Sequence, residues 1–155
     1  MIENLQNFVE STDSLWQWLA IMLASAIPFV ESYFGSALGV VAGVNPVIAI
    51  IAAILGNIAS MVLLVLFGGK IRQWRKSDEK PISKGYAKIK KFFDKYGVVG
   101  VSLLGQTLLP SQITSMAMVT FGVNKSKVIF WQVISIILWG VVFGLLATFG
   151  VSLIK

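Results

Sequence analysis

Four long stretches of the chain carry no charged residue: 14–30, 32–69, 96–124 and 128–154. Three of them exceed the roughly 20 residues needed to cross about 30 Å of hydrocarbon. Residues 46–69 and 128–154 are predicted to be full transmembrane helices. The other two segments make poor simple spans. As one helix, residues 14–44 would be about 46 Å long at 1.5 Å per residue, with Pro28 and Glu31 near the middle. Residues 96–124 place Gln106, Thr107, Pro110, Ser111, Gln112, Thr114 and Ser115 at the depth where apolar residues are expected. Proline removes a backbone hydrogen bond, and irregular backbone at membrane depth requires protein or trapped water to satisfy it. Both segments are therefore predicted to be re-entrant hairpins, broken at Pro28 and Pro110.

The same order of elements occurs twice. Pro28 is followed by Gly43-Val44-Asn45 and a long apolar run, and Pro110 by Gly122-Val123-Asn124 and another. This predicts an all-α membrane protein in which two opposed re-entrant helical hairpins and two full transmembrane helices form an inverted repeat, a construction common in transporters. Residues 1–155 form one membrane domain: repeat 1 over about 14–69, a basic loop over 70–95, and repeat 2 over about 96–154. Within the loop, Tyr86, Ile89, Phe92, Phe93 and Tyr96 share one side of a short amphipathic helix predicted over about 82–96, with lysines on the other.

Composition strengthens the membrane assignment. Hydrophobic residues make up 56% of the 155 and charged residues only 13%, about half the charged share of soluble proteins. A cleaved signal peptide is not expected, because Glu3, Glu10 and Asp13 precede the first basic residue, Lys70. Cysteine and histidine are both absent, which removes disulfides, thiolate chemistry and imidazole metal ligands. No metal or other cofactor is expected.

Charge fixes the expected topology. The loop holds ten basic residues against Asp78, Glu79 and Asp94, a balance of +7 that the positive-inside rule places in the cytoplasm. Arg72, Arg75, Lys76, Lys90 and Lys91 are candidate contacts to anionic lipid headgroups, and nucleic acid is not an expected partner. Plain spans would put Lys125 and Lys127 outside, whereas hairpins return them to the cytoplasmic side. Trp16, Trp18, Trp74, Trp131 and Trp139 read as interface anchors, and Gly35, Gly39, Gly43, Gly56, Gly100 and Gly105 as sites of close helix approach. The expected location is the bacterial cytoplasmic membrane, as a multi-pass protein.

Glu31 is the only acidic or basic residue between Asp13 and Lys70. A charge at membrane depth costs about 2.5–3.5 kcal/mol on insertion scales. A proton, hydrogen bonds from Gln106 or Gln112, or water in a cavity would offset that cost. Such a carboxylate suits proton coupling or substrate binding; a glutamate at headgroup level in a hairpin mouth is the alternative. Asn57, Gln106, Ser111, Gln112 and Thr114 are the candidate polar contacts to a substrate, although such residues also bond helix to helix. One buried acid without histidine, cysteine or a second acid leaves little for acid-base or nucleophilic catalysis, so an enzyme is not expected.

Ala26-Ile27-Pro28-Phe29-Val30-Glu31, the run 43–57 and the motif Lys95-Tyr96-Gly97-Val98-Val99-Gly100 resemble the small multidrug export proteins of bacteria. Residues 104–114 and Ile137-Leu138-Trp139-Gly140 are similar to the related DedA or VTT superfamily. The resemblance implies opposed re-entrant hairpins and an essential carboxylate in the first, matched in position by Glu31. It also implies membrane transport, which in DedA relatives concerns phospholipids or the undecaprenyl phosphate carrier. DedA proteins carry arginine near the positions of Gln106 and Gln112. Without that cation a neutral or cationic substrate is easier to accommodate than a lipid phosphate. The expected function is thus proton-coupled transport or translocation of a lipid or small amphipathic or cationic molecule, by a homo-oligomer surrounded by membrane lipids. The competing expectation is a non-transporting scaffold or assembly factor.

Overall fold

The computed structural model describes residues 2–74, 84–106 and 109–154. Among them the regular structure is all helical: α1 (Ile2–Ser11), α2 (Gln17–Ser25), α3 (Glu31–Val41), α4 (Pro46–Trp74), α5 (Lys84–Gly105), α6 (Ser111–Thr120) and α7 (Lys125–Ile154). The chain divides into two compact units, Met1–Ser60 with Ile136–Lys155, and Met61–Ser135.

Two helices are long and apolar enough to cross a bilayer, α4 over Pro46–Phe67 and α7 over Lys125–Leu153. Both extend a uniform apolar run. Neither carries a proline beyond its first turn, where the missing N–H costs nothing. The shorter helices meet the limit that the proline positions impose. With 9 residues in α2 and 11 in α3, each is about 14–17 Å long, too short to cross about 30 Å of hydrocarbon alone. They pack against each other as a hairpin.

In the first unit, α1 packs on α2 and α3 and inserts Val9 into a core with Ala20, Ile21, Leu38, Val40, Ala49, Ala52 and Ala53. Small residues draw the other helices close. Gly140 of α7 faces Ser32 and Ile54, and Gly144 faces Ser36 and Ile50. That approach lets the Ser32 hydroxyl donate to the Ile136 carbonyl at 2.8 Å and the Ser36 hydroxyl to the Gly140 carbonyl at 2.9 Å. Each bond uses the second lone pair of a carbonyl within a helix, so two polar side chains are satisfied without opening α7.

In the second unit α5 packs on α6, around Ile89, Val98, Val101, Ala117, Met118 and Val128. Gly97 interrupts α5 with a φ of 63°. The amphipathic segment thus ends at Tyr96, where its apolar pattern ends, and the part after Gly97 pairs with α6. Ile89 is buried, Phe92 and Phe93 are half-buried, and Lys88, Lys90 and Lys91 are exposed. The start expected at Ile82 lies outside the described residues, as do Arg75 and Lys76. Of Arg72 only the backbone, near the end of α4, is described.

The two Gly-Val-Asn triplets build the same joint. Gly43 and Gly122 have φ of 85° and 90°, the left-handed conformation that closes a helix. Val44 N–H donates to Gly39 O and Val123 N–H to Met118 O. Asn45 and Asn124 then accept from Val47 N–H and Ser126 N–H through their side-chain oxygens and cap the long helices. Gly43 therefore serves the turn, with no atom near enough for close packing, which corrects its expected role.

Polarity runs inward. Ser32, Ser36, Asn57, Gln112 and Gln132 are buried, while Leu63, Phe67, Phe130, Leu146 and Phe149 are exposed. Water would favour the reverse arrangement, whereas hydrocarbon suits exposed apolar faces over a polar-satisfied interior.

Candidate functional site

The break between α2 and α3 begins where Pro28 withholds a backbone donor. The turn is held by Val30 N–H and Glu31 N–H, both donating to Ile27 O at 3.1 and 3.3 Å. Phe29 and Glu31 both have positive φ, 76° and 53°. For a bulky side chain that is an outlier, and such backbone costs on the order of 1–3 kcal/mol per residue unless its surroundings enforce it. Glu31 opens α3, with its side chain at 0% exposure. Ser25, Ser32, Ser36 and Asn57 of the same unit are equally buried. Nearby, Tyr33 meets Phe143 at 5.4 Å between ring centroids, and Phe143 meets Trp139 at 5.9 Å. The hairpin of the first unit therefore combines backbone strain with a buried acid, and the same unit buries the amide of Asn57 in α4.

The second polar cluster surrounds the break at Pro110. Gln106 donates through Nε2 to Gln132 Oε1 at 3.3 Å, and Gln132 donates through Nε2 to Thr114 Oγ1 at 3.0 Å. Thr114 Oγ1 lies within hydrogen-bond reach of the carbonyls of Pro110 and Ser111. Ser111 Oγ lies 3.4 Å from Gln112 Oε1, and Ser115 Oγ donates to Ser111 O at 2.6 Å. Gln106, Ser111, Gln112, Thr114 and Gln132 are all buried. Gln106 Oε1, Ser102 Oγ and Ser135 Oγ are buried without a hydrogen-bond partner among the described residues. A buried oxygen left unmet costs about 1–3 kcal/mol, which a bound donor or a water would recover.

Gln106, Ser111, Gln112 and Thr114 thus come together in the second unit, while Glu31 and Asn57 belong to the first. Sequence reasoning missed Gln132, although it joins Gln106 to Thr114. Its signal was a polar stripe inside an apolar span: Gln132 and Ser135 lie on the buried face of α7 with Val128 and Ile136. Ser32 and Ser36 were also missed, and their spacing of one helical turn was the available signal.

Among the lipid-contact candidates, Lys90 is engaged within the protein. It pairs with Asp94 and sits 5.9 and 5.5 Å from the ring centroids of Phe93 and Phe121. Lys91 is exposed. Among the described residues no cluster of acids could hold a metal ion.

A family model described as "Putative small multi-drug export protein" matches residues 31–142. The match starts at Glu31 and extends into α7, leaving α1 and α2 before it. No curated protein and no solved structure matches the chain.

Proposed function

We propose, since the chain belongs to the small multi-drug export protein family and is a membrane protein, that it is a proton-coupled secondary exporter of small amphipathic molecules. The observation that carries this reading is the fully buried Glu31 on a strained hairpin turn. Strained backbone is retained where function requires it, and an acid at membrane depth is a functional group by default. Glu31 would take up either a proton or a cationic cargo, one excluding the other, and such competition couples two fluxes. Asn57 would supply a polar contact within the first unit, and Gln106, Ser111, Gln112 and Thr114 would supply polar contacts within the second, where Gln132 holds Gln106 and Thr114 in place. The unmet oxygens of Gln106, Ser102 and Ser135 suit a cationic head, which their lone pairs attract whether or not it carries an N–H. Reconstituted in liposomes, the protein should carry a lipophilic cation such as ethidium when a pH gradient is imposed. A scaffold would carry nothing.

The two hairpins are proposed to be re-entrant and to enter from opposite faces, as an inverted repeat. This arrangement rests on the short α2, α3 and α6 and on the repeated Gly-Val-Asn joint. The likeness of the second half to the DedA or VTT superfamily points the same way. The basic loop and Lys125 should then share the cytoplasmic side of a bacterial inner membrane. Single cysteines at Ser77, Ser126 and Ser11 of this cysteine-free chain test it with an impermeant thiol reagent on intact cells. Ser11→Cys should label, while Ser77→Cys and Ser126→Cys should be protected. Labelling of Ser126→Cys with protection of Ser77→Cys would replace the hairpins with plain spans.

Two spans and two hairpins offer little protein to shield polar tips from lipid, so a homo-oligomer is expected, with lysines such as Lys91 meeting anionic headgroups at its surface. Native mass spectrometry from lipid nanodiscs should find dimers or larger species. A monomer at every protein-to-lipid ratio would exclude self-association.

A further inference from the structure

Beside α1 and the hairpin of α2 and α3 lies a cavity of about 320 Å³, within the range of ligand pockets. Its lining includes Leu5 and Gln6 of α1, Phe29 of the strained turn, and Phe34, Ala37 and Val41 of α3. Among the described residues of that lining Gln6 is the only polar one, and its Nε2 donates to Glu10 Oε1 at 2.9 Å. Glu10 and Glu3 are exposed on α1, which carries no basic residue. An apolar interior therefore has a single polar point, and that point leads to a carboxylate.

We infer that this cavity seats the hydrocarbon tail of a cationic amphiphile, an alkylammonium by chemical class, with its head beside Glu10. A tail leaving lipid for an apolar cavity gains little, because lipid is as apolar as the cavity wall. Selection therefore falls on the head. Glu3 and Glu10 attract a cation and repel a phosphate or sulfate. Phe29 and Val30 line the cavity and directly precede Glu31, so an occupant bears on the turn that holds the buried acid. The inference rests on the export reading for its role, as the place where cargo is taken from the membrane, while the binding itself requires no transport.

The test uses the full chain in phosphatidylcholine vesicles at low salt, photolabelled with dodecyltrimethylammonium bearing a diazirine on its tail. Adducts mapped by mass spectrometry should concentrate on α1 and α3. Dodecyltrimethylammonium should compete and dodecyl sulfate should not. Ala37→Phe, which fills the cavity, should remove the specific labelling, and Val41→Phe on the same wall serves if the first variant does not fold. Glu10→Gln keeps the bond to Gln6 and should weaken binding of the cationic probe by roughly fivefold, the scale of one exposed ion pair. Adducts spread evenly over the exposed faces of α4 and α7, equal competition by dodecyl sulfate, or labelling that survives both cavity-filling variants would overturn the inference. Loss of the site with ethidium flux intact would remove this inference alone. Intact labelling without flux would remove the export reading alone.

Discussion

Glu31→Gln is expected to insert and fold with the yield of the native chain and to lose export driven by a pH gradient completely. The amide keeps the shape and most of the hydrogen-bonding capacity of the carboxyl group and removes only the titration. Glu31 is fully buried, so replacing it with a neutral isostere also removes the cost of holding a charge at depth, about 2.5–3.5 kcal/mol on insertion scales. Thermal stability in detergent should therefore stay level or rise while function disappears. A purely structural glutamate predicts the opposite pairing, with stability falling and flux retained. Glu31→Ala is less informative, because it also empties packed space. Fluorescence-monitored melting beside liposome flux for the same preparation separates the two outcomes.

The second large effect is expected at Gly56. A Cβ there would stand 1.9 Å from the Met22 carbonyl oxygen and 2.8 Å from its carbon. Those are backbone atoms of α2, so no side chain can rotate out of the way. Gly56→Ala must push α2 away from α4 or distort the hairpin that carries Glu31. Overpacking of this kind costs about 1–3 kcal/mol and sometimes more, and here it acts on a turn already strained at Phe29 and Glu31. Folded yield by fluorescence-detected gel filtration should fall by about tenfold, the scale of that cost. Gly150→Ala is the control, since nothing lies within 4 Å of its added carbon and alanine favours a helix. Equal yields from the two variants would mean that α2 does not approach α4 as described.

Much of the fold was legible because proline and glycine act locally. Pro28 and Pro110 each fall in a break between helices, and both Gly-Val-Asn triplets close one helix and cap the next. Close approach was legible at Gly35, Gly39 and Gly56, but not distinguishable there from the turn function of Gly43, which depends on where the helix ends. The helix α1 was missed although Leu5 and Val9 are one turn apart on a strongly amphipathic segment, because its ten residues carry Glu3 and Glu10 and fall outside the uncharged runs that mark the membrane segments. The sequence left Glu31 open between a buried carboxylate and one at headgroup level, and its 0% exposure comes from packing that no local pattern encodes. Gln132 was not foreseen as part of the second cluster, since a lone amide in a long apolar helix gains its meaning only when Gln106 and Thr114 fold onto it. Tertiary contacts supplied that part of the site, and no local pattern encodes them.

The central claim is that export and proton movement pass through Glu31 together, and it is tested most directly by recording both fluxes in the same proteoliposomes. Ethidium efflux and the internal pH, read by pyranine, should change together in the wild-type protein. Protons should move only when ethidium is present, and both signals should vanish in Glu31→Gln. Ethidium movement that continues unchanged in Glu31→Gln, or that occurs with no accompanying proton signal in the wild type, would contradict the account.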